Sequence, residues 1–279
     1  MDDLSSGRAE LVPDEAELEA VDITDADALD RVMEAARPDV IMHLAAQSSV
    51  TVSVTDPARD CAVNVQGTLN VLEAAKRHGA QVVFSSTGGA LYGDDAPIPT
   101  PEDRIPAPLS PYGASKWAGE AYVLAWAQAS GLPHAVCRLG NIYGPRQSPH
   151  GEAGVVAIFS YHLWRGTTPT VFGYGRPTRD YVHVRDVVGA MLAARGTAGV
   201  FNVSTGLETD VMTIFSALQE AAGTAIEPEL APLRPGELKR SCMDPGRAER
   251  ELGWRAEIPL GDGLAATYRA LVEEFERDA

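Results

Sequence analysis

No run of about 18 apolar residues occurs in this 279-residue chain, so nothing in it reads as a membrane-spanning helix. The opening Met1-Asp2-Asp3-Leu4-Ser5-Ser6 has neither the basic flank nor the apolar stretch of a secretory signal, and a cytoplasmic protein is expected. Cysteine is scarce. Cys61, Cys137 and Cys242 are odd in number, far apart and without metal-ligand spacing, which suits buried thiols in a reducing compartment and gives no metal site. Basic charge is scarce too. A formal charge of −16 leaves no basic face with which to displace counterions, and excludes a nucleic-acid or anionic-membrane partner. Lys76, Lys116 and Lys239 are the only three lysines, so an anion would be held locally and chiefly by arginine.

What is present is a complete hydrophobic complement, 45% of the residues, arranged in alternating short apolar runs and longer segments of helical spacing. Helix is predicted over 25–36, strand over 39–44, helix over 61–78 stopped by Gly79, and strand over 81–86. Val63, Leu69, Val71, Leu72 and Ala75 mark the apolar side of the second helix. Ser110 and Pro111 read as the N-cap and first turn of a helix reaching about residue 129, ended by Ser130-Gly131 and followed by a strand over 134–139. Such a series packs as a mostly parallel sheet covered by helices on both faces, an α/β fold. From Tyr143 the pattern loosens at Pro145, Pro149, Gly151 and Gly154, with helix over 155–165 and strand over 170–172. Segments 181–194 and 200–203 are expected to return to the main sheet, and 213–222, 245–252 and 260–277 to supply helices, with Trp254 in the core. The expected division is a first domain of residues 1–142 plus a returning segment of about 180–205, and a smaller lobe of 143–179 and 206–279.

Tyr112-Gly113-Ala114-Ser115-Lys116 sets a phenol and an ammonium four apart, on one face of the first turns of a helix. On its own the pair is what an ordinary surface helix could carry. Its surroundings say more. The strand Phe84-Ser85-Ser86-Thr87 runs into Gly88-Gly89-Ala90-Leu91-Tyr92-Gly93, placing Thr87 at the carboxyl edge of the sheet, where doubly wound sheets bind ligands. Two further strand ends, His43-Leu44-Ala45-Ala46-Gln47 and Cys137-Arg138-Leu139-Gly140-Asn141-Ile142-Tyr143-Gly144-Pro145-Arg146, turn small or polar in the same way.

Taken in order, these residues resemble the extended short-chain dehydrogenase/reductases of the NAD-dependent epimerase/dehydratase type, most closely the UDP-glucose 4-epimerases among them. The resemblance covers essentially the whole chain, through Asp2-Asp3-Leu4-Ser5, Asp22-Ile23, Asn64 with Gly67-Thr68, Arg179-Asp180-Tyr181-Val182-His183, Arg234-Pro235-Gly236-Glu237-Leu238 and Ala248-Glu249-Arg250-Glu251-Leu252-Gly253-Trp254. It implies a Rossmann-like doubly wound sheet, NAD as cofactor, a nucleotide-sugar substrate, and a homodimer packed through the helices around 61–78 and 112–129. The cofactor would be held by Asp2, Asp3, Leu4, Ser5, Asp22, Ile23, Leu44, Ala45, Ala46, Asn64 and Ser85, together with Tyr112 and Lys116. Thr87, Tyr112 and Lys116 would be catalytic: Tyr112, helped by the charge of Lys116, takes the proton of a sugar hydroxyl while Thr87 hydrogen-bonds the reacting oxygen. Thr87 would also touch substrate with Asn141, Val155, Thr170, Phe172, Arg179, Tyr181, Arg234, Glu237 and Ser241, the two arginines taking the diphosphate.

The family begins with a strand and a G-x-x-G-x-x-G turn that hold the pyrophosphate, and neither stands in this sequence. About 30 upstream residues are expected to be missing through a late start or truncation, with a marginal fold and poor NAD binding as the consequence. Gly140 stands where an aromatic often precedes the Asn, and is expected to widen the space near the nicotinamide. Gly88 and Gly89 follow Thr87 where sugar 4,6-dehydratases carry an Asp-Glu pair, which disfavours dehydration and decarboxylation. Ser241 is small where a bulky residue restricts some epimerases, so N-acetylhexosamines would fit. The leading reading is C4 epimerisation of a UDP-hexose through a 4-keto intermediate. The alternatives are another nucleotide-sugar epimerase or reductase, and a catalytically silent nucleotide-sugar-binding protein.

Overall fold

The computed structural model describes residues 1–150, 154–234 and 237–277. Gly151, Pro235 and Gly236, named above, lie outside them. The chain divides into two compact units, the first of Met1–Ser86, Ser110–Val136 and Ala194–Val200, the second of Thr87–Leu109, Cys137–Ala193 and Phe201–Ala279.

In the first unit α1 (Ala26–Ala36) starts where Asp25 accepts the Ala28 amide, and it buries Leu29 and Met33, one turn apart on a single face. β1 (Val40–His43) follows, then the short α2 (Val50–Thr55) and α3 (Pro57–Cys61). The predicted helix over 61–78 is interrupted at its start. Ala62–Gly67 winds as one π-helical turn, and α4 (Thr68–His78) continues to Gly79, whose φ of 72° closes it in the left-handed region. β2 (Gln81–Thr87) pairs in parallel with β1, Val40 opposite Gln81 and His43 opposite Phe84. α5 (Pro111–Ser130) is capped by Ser110, which accepts the Gly113 amide, and stopped by Gly131. With β3 (Ala135–Leu139) and β8 (Gly199–Val203) the sheet has the order β1-β2-β3-β8. Its core joins Leu29 and Met33 to Val71, Leu72, Val82, Phe84 and Val123, all at most 3% exposed. Beside β1, Asp2 forms an isolated parallel bridge with Ala20. Cys61 is exposed rather than buried, because it closes α3 on the outer face, whereas Cys137 is buried within β3.

The second unit holds β4 (Asn141–Tyr143), α6 (Val155–Arg165), β5 (Thr170–Phe172), β6 (Thr178–Arg179), β7 (Tyr181–His183), α7 (Val184–Ala193), β9 (Thr209–Asp210), α8 (Val211–Ala222), β10 (Glu229–Ala231), α9 (Gly246–Leu252) and α10 (Leu260–Arg277). Phe159, Phe215, Ile214, Leu218, Val171 and Leu264 pack between α6, α8 and α10. Residues 181–183 do not join the main sheet, as the sequence pattern had suggested; β7 pairs in parallel with β4. The reason is local: the Asn141 amide donates to the Asp180 carbonyl at 2.7 Å, and Tyr143 and His183 stack edge-on at 5.3 Å. Trp254 is buried, its indole N–H donating to the Asp186 carbonyl at 2.9 Å.

Candidate active site

α5 carries Tyr112 and Lys116 in its first two turns. Tyr112 is half-buried, whereas Lys116 is 3% exposed, with its Nζ 4.5 Å above the centre of the Phe84 ring on β2. Burial pulls the Lys116 ammonium down to about 8, against the upward pull of Glu120 and then Asp60. Glu120, one turn further along α5, accepts the Ser86 hydroxyl. Asp60 accepts from Gln47 Nε2 at 2.7 Å and from Asn64 Nδ2 at 3.1 Å. Asn64 itself lies on the π turn, 1% exposed, and its side chain bridges Gln47 and the Ser115 hydroxyl. The irregular turn thus places a polar side chain inside a hydrophobic unit with each of its groups matched.

Ser85 donates to the His43 carbonyl at 3.0 Å, tying β2 to the end of β1. The His43 ring is buried beside Thr68 at 3.0 Å. Thr68 spends its hydroxyl proton on the Asn64 carbonyl, so it accepts from His43 Nε2–H, which defines the neutral tautomer. Burial, and secondarily the Lys116 charge, holds His43 down to about 3.

A cavity of about 760 Å³ opens along β1 in the first unit, and Asp2, Asp3, Ser5, Asp22, Ile23, Leu44, Ala45 and Ala46 line it together with Val63 and Arg59. Its carboxylates suit sugar hydroxyls, its apolar walls a flat base, and Arg59 an anion, so these residues fit a dinucleotide. Asp3 is set by Ser5, whose amide and hydroxyl both donate to Oδ1 and hold the carboxyl below its ordinary value. Leu4 is exposed at φ 56° and does not line the cavity; neither do Asn64 and Ser85.

In the second unit Thr87 accepts the Ala90 amide at 3.2 Å, and the turn it starts comes close to Asn141: a Cβ on Gly89 would lie 3.4 Å from Asn141 Oδ1. Arg179 is half-buried, donates to the Thr178 carbonyl at 2.8 Å and faces Tyr181, Glu237 and Asp94. Tyr181 is buried, which pushes its phenol up to about 12. Arg234 covers the Phe172 ring at 4.6 Å and donates through Nε to Glu237 at 2.7 Å, so these three residues form one cluster. Ser241 runs beside β6, its amide donating to the Thr178 carbonyl. Val155 and Thr170 stand apart: Val155 packs against the α6–α8–α10 core and the Thr170 hydroxyl meets Glu229.

Gly140 does not widen anything. A Cβ there would come within 2.9 Å of the Asp180 carbonyl oxygen and 3.5 Å of the Ser204 Cβ, so the space of the missing side chain is taken by backbone. Asp180 is a hub that the motif reading passed over: its carboxylate accepts from Thr205 N and Oγ1, Gly206 N and Met243 N. Asp60, Glu120 and Gln47 were missed as well. Only Glu120 carries a signal in the sequence, its i, i+4 spacing from Lys116. Among the described residues no group of His, Cys, Asp and Glu is placed to hold a metal, and no helix is long and apolar enough to cross a membrane.

A parallel α/β sheet whose strand ends turn polar, beside a helix bearing a Tyr and a buried Lys four apart, defines a Rossmann-like protein of the extended short-chain dehydrogenase/reductase class. The chain belongs to the NAD dependent epimerase/dehydratase family, whose pattern matches residues 1–204. It is 47% identical over 276 residues to a UDP-glucose 4-epimerase of Mycolicibacterium smegmatis, covering 96% of this chain and 88% of that one. Among solved structures it resembles the UDP-glucose 4-epimerase of Thermotoga maritima with UDP-glucose, at a TM-score of 0.96 and 42% identity over 98% of this chain and 90% of that one. It also resembles the Thermus thermophilus UDP-glucose 4-epimerase in complex with NAD, at a TM-score of 0.90 and 41% identity over 97% and 89%.

Proposed function

We propose that this enzyme interconverts nucleotide sugars at C4, with UDP-glucose and UDP-galactose as its pair and NAD as its cofactor. The observation that carries the reading is Lys116, an almost wholly buried cation one turn from Tyr112 on a capped helix. Bound NAD would supply the hydride acceptor and donor for the sugar carbon. Tyr112 accepts the hydroxyl proton as the carbonyl forms at C4 and returns it when the alcohol is restored, and the nearby positive charge favours the phenolate it needs for the first step. Thr87 hydrogen-bonds the sugar oxygen. The cavity-lining carboxylates Asp2, Asp3 and Asp22 take ribose hydroxyls of the cofactor, while Arg179 and Arg234 neutralise the substrate diphosphate. Gly88 and Gly89 after Thr87 supply no carboxylate to remove water, which favours epimerisation over dehydration.

Incubation of the purified protein and NAD with UDP-glucose, followed by sugar analysis, tests this. UDP-galactose is the expected product, and Tyr112→Phe is expected to lower kcat by roughly 10²–10⁴-fold. A wild-type enzyme that turns over only dTDP- or GDP-sugars would move the assignment to another nucleotide, and one that binds NAD without turning over any of these sugars would end the epimerase reading. Ser241 supports acceptance of N-acetylated sugars: Ser241→Tyr is expected to lose UDP-N-acetylglucosamine turnover while keeping that of UDP-glucose. A homodimer through α5 and its neighbours accords with exposed Trp117, Tyr122 and Leu124 on α5 and Val50 and Val54 on α2. Gel filtration is expected to give a dimer for the wild type and a monomer for Trp117→Glu/Leu124→Glu, whereas a wild-type monomer would reject the interface.

A further inference from the structure

An ammonium taken out of water needs opposite charge or donated lone pairs in place of its hydration. Lys116 is 3% exposed, and the Phe84 ring beneath it offers a π face but no counter-charge. Two carboxylates share its surroundings: Glu120, one turn further along α5, and Asp60 of α3, which Asn64 Nδ2 links to the hydroxyl of Ser115, the residue before Lys116; each is only 1% exposed. Tyr112 comes from α5 as well, His43 closes β1 as a neutral ring, and Asp56 and Arg59 of α3 are exposed. β2 presents Phe84, Ser85 and Ser86, none of them charged, and Glu73, Lys76 and Arg77 of α4 are exposed.

We propose that Glu120 and Asp60 form a buried carboxylate pair that keeps Lys116 protonated at neutral pH, and are thereby positioning residues for the Tyr112/Lys116 pair. The catalytic meaning of this rests on the proposed role of that pair; the electrostatics do not. Burial lowers Lys116 most, and Glu120 followed by Asp60 raises it again, to about 8. That leaves the ammonium dominant at pH 7 by a narrow margin, so removing one carboxylate charge tips the balance toward the neutral amine. A neutral Lys116 brings no positive charge to the phenolate of Tyr112. The carboxylates are themselves oriented, Glu120 by the Ser86 hydroxyl and Asp60 by the amides of Gln47 and Asn64, so their charges sit at fixed places.

The scarcity of lysine makes this directly measurable. With ¹³Cε-lysine label the chain gives three lysine signals, and the one missing in Lys116→Met is that of Lys116. In the wild type Lys116 is expected to be charged at pH 7 and to titrate well below the ordinary lysine value of 10.5. In Glu120→Gln its midpoint is expected to fall by about one unit or more, roughly a tenfold loss of ammonium at a given pH above it. Glu120→Asp, which keeps the charge, should retain most of the wild-type value, and Asp60→Asn should move in the same direction by less. The alkaline limb of the kcat/KM profile for epimerisation should shift downward in step. An unchanged Lys116 midpoint in both Glu120→Gln and Asp60→Asn would overturn the proposal. So would a wild-type spectrum in which one of the three lysine signals is already that of a neutral amine at pH 7, a result that needs no variant to fold. If the lysine signals behave as expected while no nucleotide sugar is turned over, the epimerase reading fails and the carboxylate pair stands.

Discussion

His43 shows how far one buried ring can set the acid tolerance of this protein. The hydrogen bond to Thr68 fixes its tautomer, while burial, and secondarily the Lys116 charge, holds it down to about 3 from an ordinary value of 6.5. The unfolded chain binds a proton at pH 5 that the folded chain refuses, so stability is intact above about 6.5 and is lost as the pH falls toward 3. The full effect is on the order of 5 kcal/mol. Urea denaturation at pH 7 and pH 4.5 is expected to show a steeper acid loss in the wild type than in His43→Gln; equal losses would place the acid sensitivity elsewhere. Gly140 makes a second prediction at this scale. With a Cβ 2.9 Å from the Asp180 carbonyl oxygen, Gly140→Ala must push backbone and not a flexible side chain, at a cost of about 1–3 kcal/mol read by the same denaturation. Wild-type stability in that variant would mean that the two strands part without resistance.

Among the elements, α5 carries most. Twenty residues long, it begins at a Ser110 cap with Pro111 in its first turn, and it holds Tyr112, Lys116 and Glu120 in successive turns on one side. Ser110→Ala removes the acceptor for the Gly113 amide and is expected to lower stability by about 1 kcal/mol, seen as a lower Tm, while Ser110→Asp keeps it. The cap, Gly131 and the Tyr-Lys spacing were all legible in the sequence, because capping and helical periodicity are local. The π turn at Ala62–Gly67 was not. Val63, Asn64, Val65 and Gly67 are weak helix formers but do not specify a π turn, and the extra backbone step is stabilised by partners elsewhere in the fold: Gln47, Asp60 and Ser115 around Asn64, and Ile23 against Gly67. β7 failed for a related reason. Its short run fits a sheet strand anywhere, and its partner is decided by the pairing with β4, from Asn141 opposite Tyr181 to Tyr143 opposite His183, together with the Asn141–Asp180 backbone bond.

For the whole molecule the governing quantity is charge. At −16 the folded chain concentrates like charges that the unfolded chain spreads out, so salt should stabilise it by screening. Raising NaCl from about 0.02 to 0.3 M is expected to raise Tm, and a flat or falling Tm would show that specific ion pairs such as Arg77–Asp30 outweigh the net repulsion. The same acidity makes the few buried cations informative, because an interior Lys116 in so acidic a chain draws on chosen carboxylates and not on the general excess.

The main helices with their caps, the central strands, the α/β class and the four-residue spacing of Tyr112 and Lys116 on one helix were determined by the sequence alone, since periodicity, turn residues and short motifs act over a few residues. Tertiary structure alone decided what surrounds them. Asp60 became the second counter-charge of Lys116, Asp180 the acceptor for five donors, and Gly140 a place of close backbone approach, because burial brings together groups that lie far apart along the chain and makes each unsatisfied one costly.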